Sequence, residues 1–405
     1  MFFLKRLYYE NQYIKEFEAI IIKKIIEDEK IKVILDKTAF FPGGGGQKND
    51  LGFISNVKVI DTYEENECIV HLLEEDIDAK IGDKVKAEID WDRRKDGMAQ
   101  HLGQHILSGS FYKILGRNTV SIHLGKDIST VDIIGELTEE DIIKVNNYAN
   151  SIIENNRKVS GYFPENEELK YMKLRRDLPV TDKAIRILEI DGLDLTACSG
   201  VHFGNTLEVR FIKIKRFEKY KNNTRIYFLA GDRAIKDSLE REILLKSIEK
   251  NLSSSGNETI NSIKNLKMEI DKLKKDKKVL EEEVIKSEIK EILSQVKRYE
   301  DLDFICKIFK DKDNNLIRSL ANKIVKEDNR IILLINEEKK SINIILASSK
   351  NVKEINLREI SFKHIDIICG KGGGSSNRVE ILGEKKNLEQ FIDKIEEEIR
   401  SKKII

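Results

Sequence analysis

Residues 92–115 read DRRKDGMAQHLGQHILSGSFYKIL, and the texture of the chain changes where they begin. Met98, Leu102, Ile106 and Phe111 recur at helical spacing, so the stretch predicts an amphipathic helix. Upstream, β-branched segments alternate with turn signals: AIIIKKIIE (19–27), IKVILD (31–36), PGGGGQKNDLG (42–52), GFISNVKVID (52–61) and KVKAEIDW (84–91). That alternation predicts short antiparallel strands over residues 1–90, curled into a small β-barrel. Downstream, TVSIHLG (119–125) and STVDIIG (129–135) read as strands, and TEEDIIKVNNYANSIIENN (138–156) opens with the Thr-x-x-Asp of a capped helix. Strands return between 184 and 230. The block 91–235 is therefore expected to be an α/β domain with an antiparallel sheet.

After residue 235 the chain becomes highly charged with regular apolar positions. Ile263, Leu266, Ile270, Leu273, Leu280 and Val284 alternate spacings of three and four, with Lys277 where a further apolar residue would stand. This predicts a helical coiled-coil arm over 236–297, broken at LSSSGNE (252–258), so a helical hairpin or a homodimer is expected. From 298 to 405 strands and helices mix in a compact C-terminal α/β domain. The fold class expected for the whole chain is α+β.

Composition narrows the function. Over 405 residues, 72 lysines and arginines balance 71 acidic residues, so any contact with a polyanion has to come from local patches. The four cysteines, Cys68, Cys198, Cys306 and Cys369, are scattered, unlike a disulfide framework, which points to the reducing cytoplasm. The first residues reach charge too early for a signal peptide, and no run approaches a membrane span.

The predicted helix carries HLGQH (101–105), and a later segment reads CSGVH (198–202). Residues i and i+4 share a helical face, so His101 and His105 can point at one ion, and Cys198 with His202 offers a second matching pair. Thiolate with imidazole favours zinc over magnesium or calcium, and the four residues are read as ligands of one Zn²⁺. No His-Glu-x-x-His occurs, so the helix lacks the general base of a zinc protease; Gln100 and Gln104 are candidates to orient water or substrate.

Two glycine runs stand out. Gly43, Gly44, Gly45 and Gly46, followed by Gln47, can turn backbone N–H groups toward a ligand or simply form a hairpin loop. Lys371, Gly372, Gly373 and Gly374, with Arg378 nearby, follow what reads as an apolar strand and suggest a phosphate cradle. Neither run is followed by Lys-Ser/Thr in a P-loop pattern, so no ATP site is expected. The stretch 211–225 interleaves Lys213, Lys215, Arg216, Lys219, Lys221 and Arg225 with Phe217 and Tyr220, a mix suited to nucleic acid or to a solvated face.

FFPGGGGQ, IDWDRRKDGMAQHLGQHILS, STVDI, DLTACSGVHFGNT and RIYFLAGDRAI together resemble the alanyl-tRNA editing proteins, free-standing relatives of the alanyl-tRNA synthetase editing domain. The charged arm and GKGGGSS resemble the C-terminal, DHH-associated domain of those synthetases, which implies the long form of the family. The resemblance implies an editing domain over 91–235, the zinc set already named, and Thr38 at a position that meets the seryl hydroxyl. It also implies hydrolysis of the ester joining serine, or glycine, to tRNA for alanine. The ion would either polarise the carbonyl and activate water or chiefly anchor the amino acid. Gly43 stands where family members commonly have Glu, and Ser199 and Val201 depart from Cys-Gly-Gly-Thr-His. Two other readings compete: an RNA-binding module with a purely structural zinc, and a zinc hydrolase of small acyl substrates.

Overall fold

The computed structural model describes residues 5–27, 30–181 and 184–402. Contacts divide it into two compact units, Met1–Lys250 and Asn251–Ile405.

In the first unit six strands, β1 (Glu16–Glu27), β2 (Lys30–Leu35), β3 (Gly52–Ile54), β4 (Val57–Glu65), β5 (Cys68–Leu73) and β6 (Lys84–Ile89), run antiparallel. They close in the order β1-β2-β5-β4-β3-β6, with β6 back on β1. Alternate residues such as Phe17, Ala19 and Ile21 on β1 and Val85, Ala87 and Ile89 on β6 point into one apolar core, the period-2 pattern of a half-buried strand. His71 on β5 is fully buried there and bonded at both nitrogens, to Thr38 Oγ1 at 2.9 Å and to the Val33 carbonyl at 3.0 Å.

Helix α1 (Trp91–Leu115) follows at once. Asp90 caps it by accepting from Arg93 N–H at 3.1 Å, and Gly116 ends it in the left-handed conformation. Met98, Leu102, Ile106 and Phe111 are completely buried. Around α1 lie β7 (Thr119–Leu124), β8 (Ser129–Ile134), α2 (Glu139–Glu154), β9 (Val159–Tyr162), β10 (Ile187–Ile190), β11 (Asp194–Ala197), β12 (Ile212–Tyr220) and β13 (Asn223–Ala230). They form a four-stranded antiparallel sheet, β12-β13-β8-β7, and a three-stranded one, β9-β10-β11. Thr138 and Asp141 close the capping box of α2 from both sides.

One buried ion pair fixes the loop after β2 onto α1. The Arg94 guanidinium sits on the Asp50 carboxylate with both side chains essentially inaccessible, and it also donates to the Gln12 and Ala39 carbonyls. Asp50 in turn accepts from Phe41 N–H at 2.6 Å. Every strong donor around the pair is answered, which is the condition for tolerating charge inside a core. The consequence is positional: the glycine run 43–46 is held against the histidine face of α1.

Helix α3 (Asp232–Leu252) closes this unit, and α4 (Asn257–Leu293) opens the next, with the break falling inside LSSSGNE. The apolar stripe of α4 faces water within one chain: Ile263, Ile270, Leu273 and Leu280 are each at least half exposed. Only its last turns, through Ile285 and Ile292, join a core. That core belongs to a six-stranded sheet of β14 (Lys297–Tyr299), β15 (Leu302–Lys310), β16 (Arg330–Glu337), β17 (Ile342–Ser348), β18 (Lys371–Ser375) and β19 (Arg378–Gly383), ordered β14-β15-β16-β17-β19-β18. Helices α5 (Asn314–Ile324), α6 (Leu357–His364) and α7 (Leu388–Ser401) pack on it. Among the described residues no helix is long and apolar enough to cross a membrane.

The second glycine run departs from expectation. Lys371, Gly372, Gly373 and Gly374 are not a loop after a strand; they are the exposed edge strand β18 itself, preceded by a 3₁₀ turn at Ile365–Ile368. Glycine permits this because a Cβ at 372 or 374 would lie 2.3 or 2.0 Å from carbonyl oxygens of β19. As an edge strand the run turns alternate amides toward the ladder with β19, in place of the expected loop. Arg378 is bonded to Glu380 and Asn322.

Candidate metal centre

His101, His105, Cys198 and His202 meet although 97 residues separate the first and third. Their ligand atoms all lie within 4.8 Å of one another, and Cys198 Sγ is 3.5 Å from Nε2 of both His101 and His202. A tetrahedral zinc with bonds of about 2.0–2.3 Å has ligand–ligand edges of roughly 3.3–3.8 Å, so a small contraction converts this cluster into a coordination shell. The helix supplies the first pair on one buried face. CSGVH, leaving β11, supplies the second.

What stands behind the ligands supports the same reading. His101 Nδ1 bonds Gln47 Oε1 at 3.0 Å, and that oxygen also accepts from Val201 N–H at 2.9 Å. His105 Nδ1 lies 3.3 Å from Asp194 Oδ2, leaving Nε2 buried without a hydrogen-bond partner among the described residues. Asp194 is fixed by Arg175, whose Nε donates to Oδ1 at 2.6 Å. A ligating imidazole whose second nitrogen is tied to a carboxylate or carbonyl has its tautomer and ring plane set in advance. Gly200 belongs to this arrangement, since a Cβ there would lie 2.2 Å from His101 Cε1.

The electrostatics are those of a ligand set. Burial opposes charge on Cys198, but the three imidazoles hold its thiol well below the ordinary value. Burial likewise disfavours protonated His105, yet the Cys198 thiolate and the Asp194 carboxylate more than reverse this and push it up to about 9. Burial pushes His202 down to about 3 against the pull of the thiolate, with His101 reinforcing the shift. A thiolate facing imidazoles around buried, unanswered nitrogen is chemistry that a divalent cation completes.

Beside the cluster lies a cleft of about 390 Å³. Its wall includes Gly45, Gln104, Ser199 and three arginines, Arg175, Arg176 and Arg186, and no carboxylate among the described residues. Gln104 donates its amide to Ser108 Oγ at 2.8 Å, which leaves Oε1 buried and unanswered.

Several comparisons bear on this centre. Models of three known families match the chain: "tRNA synthetases class II (A)" over residues 6–93, "Threonyl and Alanyl tRNA synthetase second additional domain" over 185–227 and the "DHHA1 domain" over 301–401. The chain is 31% identical to the alanyl-tRNA editing protein AlaX-L of Pyrococcus horikoshii across 98% of its own length and 99% of that protein. The chain belongs to the alanyl-tRNA editing proteins. This family member is also 31% identical to the alanine–tRNA ligase of Pyrococcus abyssi and 33% identical to that of Thermococcus kodakarensis, over 96% and 82% of its length. It spans only 43% and 37% of those ligases.

Within this editing protein the remaining candidates separate. All four glycines of 43–46 have positive φ, and Gly44 and Gln47 close the loop by a pair of backbone hydrogen bonds. Through Oε1, Gln47 is a support of His101. Thr38 is fully buried, and its hydroxyl is engaged by His71 and by Phe40 N–H, so it does not line the cleft. Lys213 and Lys215 both bond Asp237, while Arg216 bonds Glu218 and lies 3.5 Å over the Tyr227 ring. Much of the basic stretch is thus internally paired, with Lys221 exposed at the turn beside the Tyr220 ring. Sequence reading passed over Asp194, Arg175 and Arg186; the only signal for Asp194 is its place four residues before Cys198.

Proposed function

We propose that this chain is a trans-acting deacylase that hydrolyses the ester of tRNA for alanine carrying the wrong amino acid, chiefly serine and also glycine. The observation that carries this reading is the three-histidine, one-cysteine cluster opening on a cleft that holds three arginines and no carboxylate among the described residues. His101, His105, Cys198 and His202 would hold one Zn²⁺. When bound, zinc supplies Lewis acidity toward an ester carbonyl and a positive anchor for the substrate.

The chain's own residues do the positioning. Gln47 and the Arg175–Asp194 pair orient His101 and His105. Gln104 Oε1 is an acceptor with no internal partner, placed to take a proton-bearing group of the aminoacyl end or of the attacking water. A small pocket selects poorly against serine's added hydroxyl or glycine's missing methyl, which is why a second hydrolytic site is useful. Thr38 can enter only indirectly, by fixing the strand end that leads into the glycine run. Aminoacylation and ATP are assigned to another enzyme.

We further propose that the barrel (1–90), editing domain (91–235), helical arm (236–297) and C-terminal domain (298–405) are working parts of a cytoplasmic homodimer. The water-facing stripe of α4 supports pairing with a second copy, and Lys277, bonded to Glu281 at 3.6 Å, would set its register. A second reading, an RNA-binding module with a structural zinc, draws on the four protein donors, which suffice to fill a tetrahedral shell. Incubating the zinc-loaded protein with seryl-, glycyl- and alanyl-tRNA for alanine decides between them. Release of serine and glycine with alanine spared is expected; no release supports the structural zinc.

A further inference from the structure

Arg186 is built into the metal cleft in an unusual way. Arg93 and Arg157 of this unit donate to oxygens of Asn49 and to the Asp191 carbonyl, while other guanidiniums sit on carboxylates: Arg94 on Asp50, Arg175 on Asp194, and Arg225 and Arg233 on Asp132 and Asp96. Arg186 has none among the described residues. Its Nη1 donates to the carbonyls of Cys198 at 3.2 Å and Gly200 at 3.0 Å, it stacks 4.7 Å from the Tyr9 ring centre, and its buried Nε has no hydrogen-bond partner among the described residues. Gly161 on β9 makes room, for a Cβ there would lie 1.8 Å from Nη2. Tyr9 is itself held by donating to the Ser199 carbonyl at 2.6 Å. The fold therefore fixes a cation at the rim of the ligand loop with no carboxylate for it among the described residues.

Arg176 lies on the same wall, exposed and without a carboxylate among the described residues. Planar guanidinium groups match phosphate oxygens in both shape and charge. We propose that Arg186, with Arg176, forms a phosphate subsite of the cleft that takes the last phosphodiester of an RNA 3′ end. Its identity as the substrate's phosphate rests on the deacylase reading; its preference for a nucleotide phosphate does not.

The test compares zinc-loaded full-length protein with Arg186→Gln and Arg176→Gln, using adenosine 5′-monophosphate, adenosine and inorganic phosphate as calorimetric or NMR probes. The native chain should bind the nucleotide about tenfold or more tighter than adenosine, as expected for a charge-assisted contact. Inorganic phosphate alone should bind more weakly still. Arg186→Gln should erase the preference while keeping its zinc and its adenosine affinity, and Arg176→Gln should reduce it. Equal binding of nucleotide and nucleoside by the native chain, or a preference that survives in Arg186→Gln, overturns the subsite. So does inorganic phosphate binding as tightly as the nucleotide. If Arg186→Gln loses zinc and adenosine binding together, the side chain only braces the Cys198 loop, and the proposal falls. A native protein that keeps the nucleotide preference but releases no serine refutes the deacylase reading and leaves the subsite standing.

Discussion

The His–Cys centre and the basic hairpin of β12 and β13 both stand out in the sequence as clusters of reactive or charged side chains, and they differ in what the fold leaves undone. In the hairpin most charges are answered: Lys213 and Lys215 by Asp237, Lys219 by Glu136, Arg225 by Asp132. At the centre the outer nitrogens of His101 and His105 are bonded, whereas His105 Nε2, Gln104 Oε1 and Arg186 Nε are buried with no hydrogen-bond partner among the described residues. Leaving such groups unsatisfied costs about 1–3 kcal/mol apiece, a cost that a ligand bound at the centre would remove.

The contrast can be broken most severely at Gly200. Gly200→Ala puts a methyl against the His101 ring and Gln47 Oε1, and should cost more zinc affinity than loss of any outer hydrogen bond, over about 100-fold. Competition against a chelating dye measures it, and native-like affinity would show that the close approach is not needed.

His71 sharpens the comparison from the other side, as a buried histidine that the barrel satisfies completely. Burial pushes it down to about 4 from 6.5. Below pH 6.5 the unfolded chain takes up a proton that the folded chain refuses until about pH 4. Stability is thus complete above 6.5 and should fall by about 3 kcal/mol as pH drops to 4. Urea unfolding of the native chain and of His71→Gln across that range should show the native slope and its reduction in the variant. Identical slopes would contradict the assignment.

Asp194→Asn tests the support of His105 and should weaken zinc binding by about 10–100-fold without unfolding the protein, the usual cost of losing an outer partner. The smallest effect belongs to the hairpin. Lys213→Ala with Lys215→Ala should change affinity for tRNA less than about twofold, since partly exposed pairs contribute little. A large loss, measured by filter binding with its salt dependence, would restore the basic stretch as an RNA face.

The elements were legible where periodicity is strong. Met98, Leu102, Ile106 and Phe111 announce α1, and the Thr138 capping box announces α2. The ligand set was legible because two i, i+4 pairs of scarce residues recur. Gln47, Asp194 and Arg186 had no such signal, because their roles depend on contacts between residues as much as 154 positions apart. The GKGGGS segment misled because glycine serves a phosphate loop and a close-packed edge strand equally well, and only the ladder with β19 tells them apart.

The central claim is that the four ligands make one hydrolytic centre. It is tested most directly by following labelled serine from seryl-tRNA for alanine with native protein and Cys198→Ala, with zinc and circular dichroism recorded for both. The variant should stay folded and lose zinc and serine release together. Full release by a folded, zinc-free Cys198→Ala protein would contradict it.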